Sequence, residues 1–124
     1  MAPADPVRGR KGETLAADFL KRRGFRILQR NWSGRFGEID LIAREKEALV
    51  FVEVKTRASD LWGGPEEAVT TAKQRRLIKT AREFAHRHRL EDTPMRFDVI
   101  AIETDSGDKP VVRHYPDAFH PGSR

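Results

Sequence analysis

Residues 37–57 read GEIDLIAREKEALVFVEVKTR, and the alternation within them decides the fold. Gly37 to Ala43 and Leu49 to Thr56 each carry apolar side chains at strand spacing, and the charged stretch Arg44 to Glu47 joins them, so they predict an antiparallel hairpin. Leu49-Val-Phe-Val-Glu-Val-Lys55 begins apolar on both faces, the pattern of a central strand. Alternate residues share a face, which sets Glu53 and Lys55 on one side and Val50, Val52 and Val54 on the other. In the preceding strand Asp40 shares a face with Glu38 and Ile42. A four-residue turn, Glu45 to Ala48, places Asp40 directly opposite Glu53, and a two-residue turn, Glu45 and Lys46, places it one diagonal step away. Both registers leave two carboxylates on one face, where they repel each other unless a proton or a cation intervenes.

Around this hairpin the periodicity alternates between helix and strand. Glu13, Ala16, Ala17 and Leu20 form a helical stripe that Gly24 ends as a left-handed cap. Phe25 to Gln29 predicts a short strand and Asn31 to Gly34 a turn. After the Gly/Pro-rich segment 60–65, a helix runs from an N-cap at Thr70 to near His88. Its residues Leu77, Ile78, Ala81, Phe84 and Ala85 make a packing side, while Lys73, Arg75, Arg76, Lys79, Arg82 and Arg87 occupy much of the remainder. Arg96 to Ile102 alternates as a strand, and Val111 to Tyr115 predicts an edge strand. This order gives an α/β protein, a mixed sheet with helices packed over it. Residues 1–9 are expected to be a mobile arm, 10–119 one domain and 120–124 a tail.

Composition narrows the function. The 124 residues allow one domain. Cys is absent, which excludes disulfides, thiolate zinc sites and Cys nucleophiles. The longest apolar run, Ala48 to Val52, is too short to span a membrane. The first residues hold no apolar stretch resembling a signal-peptide core, so a cytoplasmic location is expected. Of the 24 basic residues 17 are Arg, the side chain whose fork matches phosphate oxygens, and the net charge is +5. Positive charge is blocked: residues 8–35 hold nine Lys or Arg against two acids and residues 73–89 hold seven against one, whereas residues 91–108 hold one against six. Separated blocks of this kind point to a polyanionic partner.

Clustered carboxylates suit a hard divalent ion, and Mg²⁺ is often held by one or two protein carboxylates together with water and substrate phosphates. Asp40 and Glu53 supply such a pair. Lys55 stands beside Glu53 to orient an attacking water and to balance charge in the transition state, and Glu13 completes the site if the first helix crosses this end of the sheet. The competing view is a solvated strand face carrying surface ion pairs. Against it, Glu53 and Lys55 interrupt a strand that is otherwise buried. Lys73, Gln74 and Arg76 on the second helix, Arg57 after the central strand, and Arg10 and Lys11 near the N-terminus are candidates for nucleic-acid phosphates. Trp32 and Trp62 are expected to pack, with base stacking as the alternative. His86 and His88 are expected to complement a helix C-terminus, and Asp98 to form a structural salt bridge.

The strings GRKGE (9–13), GEIDLIA (37–43), FVEVKTR (51–57), TAKQRRL (71–77) and RFDVIAI (96–102), in this order and spacing, resemble the YraN family. That bacterial family is predicted to comprise endonucleases of the PD-(D/E)xK superfamily, similar to archaeal Holliday junction resolvases. The resemblance implies a restriction-endonuclease-like three-layer α/β/α core in the order αβββαβ. It implies Glu13 as the helical acid, Asp40 as the motif aspartate, Glu53 as the metal-binding acid, Lys55 as the motif lysine, and the Val54 carbonyl as a further metal ligand. Ile39 stands where the superfamily has a nominal Pro, and Lys46 stands in a turn where relatives often carry Gly. The resulting expectation is a Mg²⁺- or Mn²⁺-dependent endonuclease acting on nucleic acid, DNA before RNA, at branched or single-stranded structures, with a homodimer by analogy with resolvases. The alternative is a non-catalytic nucleic-acid-binding accessory protein on a nuclease-like fold. The intact acid set speaks against it, because a pure binder would gain phosphate affinity by losing those charges.

Overall fold

The computed structural model of the chain describes residues 6–57, 69–103 and 109–120, with side chains described from residue 11 and not at Arg57. The elements are α1 (Pro6–Arg22), β1 (Arg26–Ser33), β2 (Glu38–Glu45), β3 (Ala48–Arg57), α2 (Thr71–Arg87), β4 (Met95–Glu103) and β5 (Val111–Phe119). The strands form one mixed sheet in the order β1-β2-β3-β4-β5. β1, β2 and β3 pair antiparallel, β3 and β4 pair parallel, and β5 returns antiparallel on β4. A parallel pair requires a crossover, and α2 lies in it.

Each face of the sheet is buried by a helix. Ala16, Ala17 and Leu20 of α1 pack with Leu41, Ala43, Val50, Val52, Ile100 and Ile102. Leu77, Ala81 and Phe84 of α2 pack with Ile42, Leu49, Phe51, Phe97 and Val99. In β3 the two sets alternate along the strand, as the period of two demands. The α/β expectation holds, with one helix on each face of the sheet among the described residues. Gly24 has φ +93° and closes α1, its N–H donating to the Lys21 carbonyl at 3.0 Å. Thr70 caps α2, its side-chain oxygen accepting from the Lys73 N–H.

Three local expectations are corrected. The first helix begins at Pro6, not Glu13, so residues 6–9 of the expected arm have helical backbone. A Pro in the first turn lacks only an N–H that would have no helical partner there. The hairpin turn is Lys46 and Glu47 alone, since Glu45 pairs with Ala48, and Lys46 takes the left-handed conformation at φ 55°. Residues 31–33 belong to β1 instead of a turn. Asn31 adopts φ 52° within the strand, a conformation its short polar side chain tolerates. Its neighbours consequently leave on opposite faces, Arg30 donating to Thr14 Oγ1 on α1 and Trp32 packing edge-on against Phe84 on α2. The segment 60–65, Trp62 and the residues 121–124 of the expected tail lie outside the described residues.

Phe84 is the aromatic hub of the α2 side, with ring centroids 5.3 Å from Trp32, 6.0 Å from Phe51 and 4.1 Å from His88. It is 2% exposed. Truncation leaves a cavity that the flanking rings cannot fill, so Phe84→Ala is expected to lower unfolding free energy by about 3–5 kcal/mol in a urea titration. A loss below about 1 kcal/mol would mean that the site collapses around the missing ring.

Candidate active site

The β2–β3 ladder runs from Glu45↔Ala48 to Leu41↔Val52 and goes no further. The next pair in this register is Asp40 and Glu53, directly opposite one another as the first of the two expected registers requires. Here the strands part, and a carboxylate takes the place of a ladder carbonyl: Asp40 Oδ2 accepts the Val54 N–H at 2.8 Å. Ile39 packs on the α2 side and Leu41 on the α1 side, so Asp40 sits where β2 changes the face it presents.

The gap opens into a cleft of about 340 Å³ lined by Asp40 and Glu53, with Glu38 and Phe36 at the β1–β2 side and Lys73, Arg76 and Thr80 from α2. Glu53 is 6% exposed, and its Oε2 lies 2.5 Å from Lys73 Nζ and 3.6 Å from Lys55 Nζ. The face alternation predicted for β3 therefore holds, and two ammonium groups share one buried carboxylate.

Charge in the cleft is unbalanced in a defined direction. Burial pushes the Asp40 carboxyl up to about 7, and the charges of Glu53 and, more weakly, Glu13 add to it, while the Val54 N–H and Lys73 pull the other way. Lys55 is lowered from its ordinary value by burial and by the neighbouring Lys73 ammonium, against the attraction of Glu53. For Lys73 burial works downward, but the hydrogen bond and charge of Glu53 outweigh it and hold the ammonium above its ordinary value. The two lysines on Glu53 are thus shifted in opposite directions, Lys73 upward and Lys55 downward.

Not every expected residue joins the cleft. Glu13 stays half-buried on α1 and reaches the site through its field on Asp40; among the described residues no three His, Asp or Glu side chains are gathered into a ready metal-binding group. Gln74 turns inward, Nε2 donating to the Val69 carbonyl at 2.9 Å, so its amide fastens the start of α2. Lys11 is exposed on α1. The side chains of Arg10 and Arg57 lie outside the described residues, and the Val54 backbone meets the site through its N–H. His86 pairs with Glu91 at 2.8 Å, and His88 bonds the Phe84 carbonyl at 2.9 Å, which fits their expected place at the end of α2. Asp98 forms the expected structural ion pair, bidentate with Arg96. Glu38, Thr80 and Phe36 line the cleft without having been singled out by sequence reasoning, and Phe36 is the aromatic among them. Its one signal was an aromatic set in a Gly-Arg-Phe-Gly turn, where no core position requires it.

A family model described as "Uncharacterised protein family UPF0102" matches residues 12–102. The chain is similar to a UPF0102 protein of Anaeromyxobacter dehalogenans, 50% identical over 111 residues that cover 90% of this chain and 82% of the relative. It is 49% identical to one of Geobacter metallireducens, covering 90% of each chain. A third, of Rhodococcus opacus, is 48% identical over 90% of this chain and 94% of its own.

The raised carboxyl sets a pH dependence. Folded Asp40 keeps its proton up to about pH 7, whereas the unfolded chain loses it near 3.8, so between these values the folded state binds more protons and stability falls as pH rises. Asp40→Asn keeps an acceptor for the Val54 N–H and removes the titration. In EDTA the variant is expected to be more stable than the parent at pH 8, by up to about 4 kcal/mol, and to lose that advantage toward pH 4. Equal denaturant midpoints at both pH values would show that Asp40 titrates normally.

Proposed function

The chain belongs to the UPF0102 family, and from the geometry of its cleft we propose that it is a divalent-metal-dependent endonuclease that hydrolyses phosphodiester bonds of nucleic acid, DNA before RNA. One observation carries this reading: Asp40 and Glu53 meet where β2 and β3 part, with Lys55 and Lys73 on the same buried carboxylate. A structural ion pair would balance its charges. This cluster leaves Asp40 with a carboxyl at about 7 even with Lys73 pulling the other way, the mark of acids held together for a cation.

The donor set fits the implied metal. Two carboxylates offer hard oxygen ligands, and Mg²⁺ needs no more than that from a protein when substrate phosphate and water complete its shell. Asp40 and Glu53 would hold it, and the bound ion would supply Lewis-acid stabilisation of charge on the phosphate. The chain's own groups do the rest. Lys55 Nζ, beside Glu53, orients the attacking water and in its neutral form accepts the water's proton as the new P–O bond forms and the strand's P–O bond breaks, the departing oxygen taking a proton from solvent water. Lys73 Nζ and Arg76, at the start of α2, hold non-bridging phosphate oxygens. The alternative, binding without cleavage, uses the same basic rim and differs only in what the acids do.

A plasmid and oligonucleotide assay with Mg²⁺ or Mn²⁺ separates the two. Glu53→Gln and Lys55→Ala are each expected to cut at least about 100-fold more slowly than the parent while still binding DNA. A parent protein that binds and never cuts, or variants that cut as fast, would sink the nuclease reading and leave the accessory one. Arg76→Gln is expected to weaken binding similarly for all sequences and to reduce the slope of log K against log salt by about 1.

A further inference from the structure

Among the described residues two large apolar side chains stand exposed, Phe36 at 46% and Val111 at 47%. Val111 begins an edge strand. Phe36 projects from the β1–β2 turn into the wall of the cleft that holds Asp40 and Glu53. Resting on the phosphodiesterase reading of that cleft, we propose that Phe36 is a stacking platform for an unpaired base, so that the strand cut here has a single-stranded step beside the scissile phosphate.

The turn that carries Phe36 is fixed at several points. The Gly34 N–H donates to the Gly37 carbonyl at 2.8 Å, and the Arg35 N–H donates to Glu83 Oε1 on α2 at 2.8 Å. Gly34 has no room for a side chain: a Cβ there would come within 2.5 Å of Glu83 Oε1 and 2.8 Å of the Trp32 ring. The phenyl ring is thus held against α2 by backbone contacts and is still left in water. Lys79 Nζ lies 5.6 Å from its centroid, and Arg76 lines the cleft next to it. An exposed ring flanked by cations is the combination that binds single strands, the base stacking on the ring while the phosphates follow the positive charge.

Trp32, the aromatic nearest in sequence, is not available for this role. Its indole packs edge-on to Phe84, and Arg87 lies 5.8 Å over the ring. The interior of a paired duplex also offers no free base face to Phe36, because each base there is already stacked on both sides. A flap, a junction or a single strand does offer one. The cleft, at the low end of ligand-site volumes, suits one nucleotide step better than a whole duplex.

The test is fluorescence anisotropy in EDTA with a labelled oligothymidylate and a blunt duplex of equal length, on the full chain and its Phe36→Ala, Phe36→Trp and Val111→Ala variants. Phe36→Ala is expected to weaken single-strand binding about 5- to 100-fold and to leave duplex binding within about twofold. Phe36→Trp is expected to restore single-strand affinity and to show indole quenching on binding, and Val111→Ala to behave as the parent. An equal loss on both ligands, no loss, or binding to neither overturns the proposal. The same proteins in Mg²⁺ keep the two readings apart. Cutting that is indifferent to Phe36 removes the platform and spares the nuclease; selective single-strand binding without any cutting removes the nuclease.

Discussion

Two carboxylates face each other across the last rung of an antiparallel ladder, and this constraint organises the cleft. An ordinary sheet would continue with a backbone hydrogen bond where β2 and β3 instead part. The Asp40 carboxylate fills that place on the Val54 N–H, so the strands separate without leaving the donor unpaired. The same bond holds Asp40 close to Glu53 and prevents the two acids from relaxing apart. Repulsion is thereby built into the sheet, and other parts of the molecule must answer it with positive charge.

α2 gives that answer because of where the crossover puts it. β3 and β4 are parallel, so the chain returns along the face of the sheet and the first turn of α2 arrives over the outgoing end of β3. Lys73 lies in that turn, positioned by the Thr70 cap and by the Gln74 amide on Val69, and its ammonium reaches the buried Glu53 oxygen. The free N–H groups of a helix start add positive potential in the same place. Packing of Leu77, Ala81 and Phe84 against the sheet sets the height of the helix, and with it the width of the cleft.

The sequence made much of this legible through periodicity. Alternation in Leu49 to Lys55 assigned Glu53 and Lys55 to one face, and hairpin parity brought Asp40 to the same side under either turn; the structure keeps both results even though the turn is the shorter Lys46-Glu47. Departures from periodicity were hidden. Nothing in the apolar pattern marks Asn31 as a left-handed residue inside a strand, so β1 seemed to end at Gln29. Pattern also could not tell that Gln74 would turn inward while Lys73 turned to the site, since both occupy the edge of the same helical stripe. Phe36 escaped for a related reason: a lone aromatic in a turn has no period, and its exposure depends on how Glu83 anchors the backbone around it.

A second buried aspartate shows what structural charge looks like in the same sheet. Asp98 is 1% exposed, and burial alone would raise its carboxyl. Arg96 bonds both its oxygens at 2.9 Å, His114 Nε2 lies 2.7 Å from one, and the Asp117 N–H donates to the other, so the carboxyl is held below the ordinary range. Arg96 in turn has Glu45 at 2.7 Å. Every charge there has a partner of opposite sign and suitable geometry, which is how a fold accommodates a buried ion pair. Asp40 lies two strands away, where burial and two acidic neighbours outweigh its one N–H bond and the charge of Lys73. The chain clearly contains the means to neutralise a buried aspartate and applies them at Asp98. At Asp40 the imbalance persists beside an open cleft and a basic helix. That contrast between two aspartates in one sheet, more than the net charge of the chain, is the structural ground on which the proposed reading of the Asp40 cleft rests.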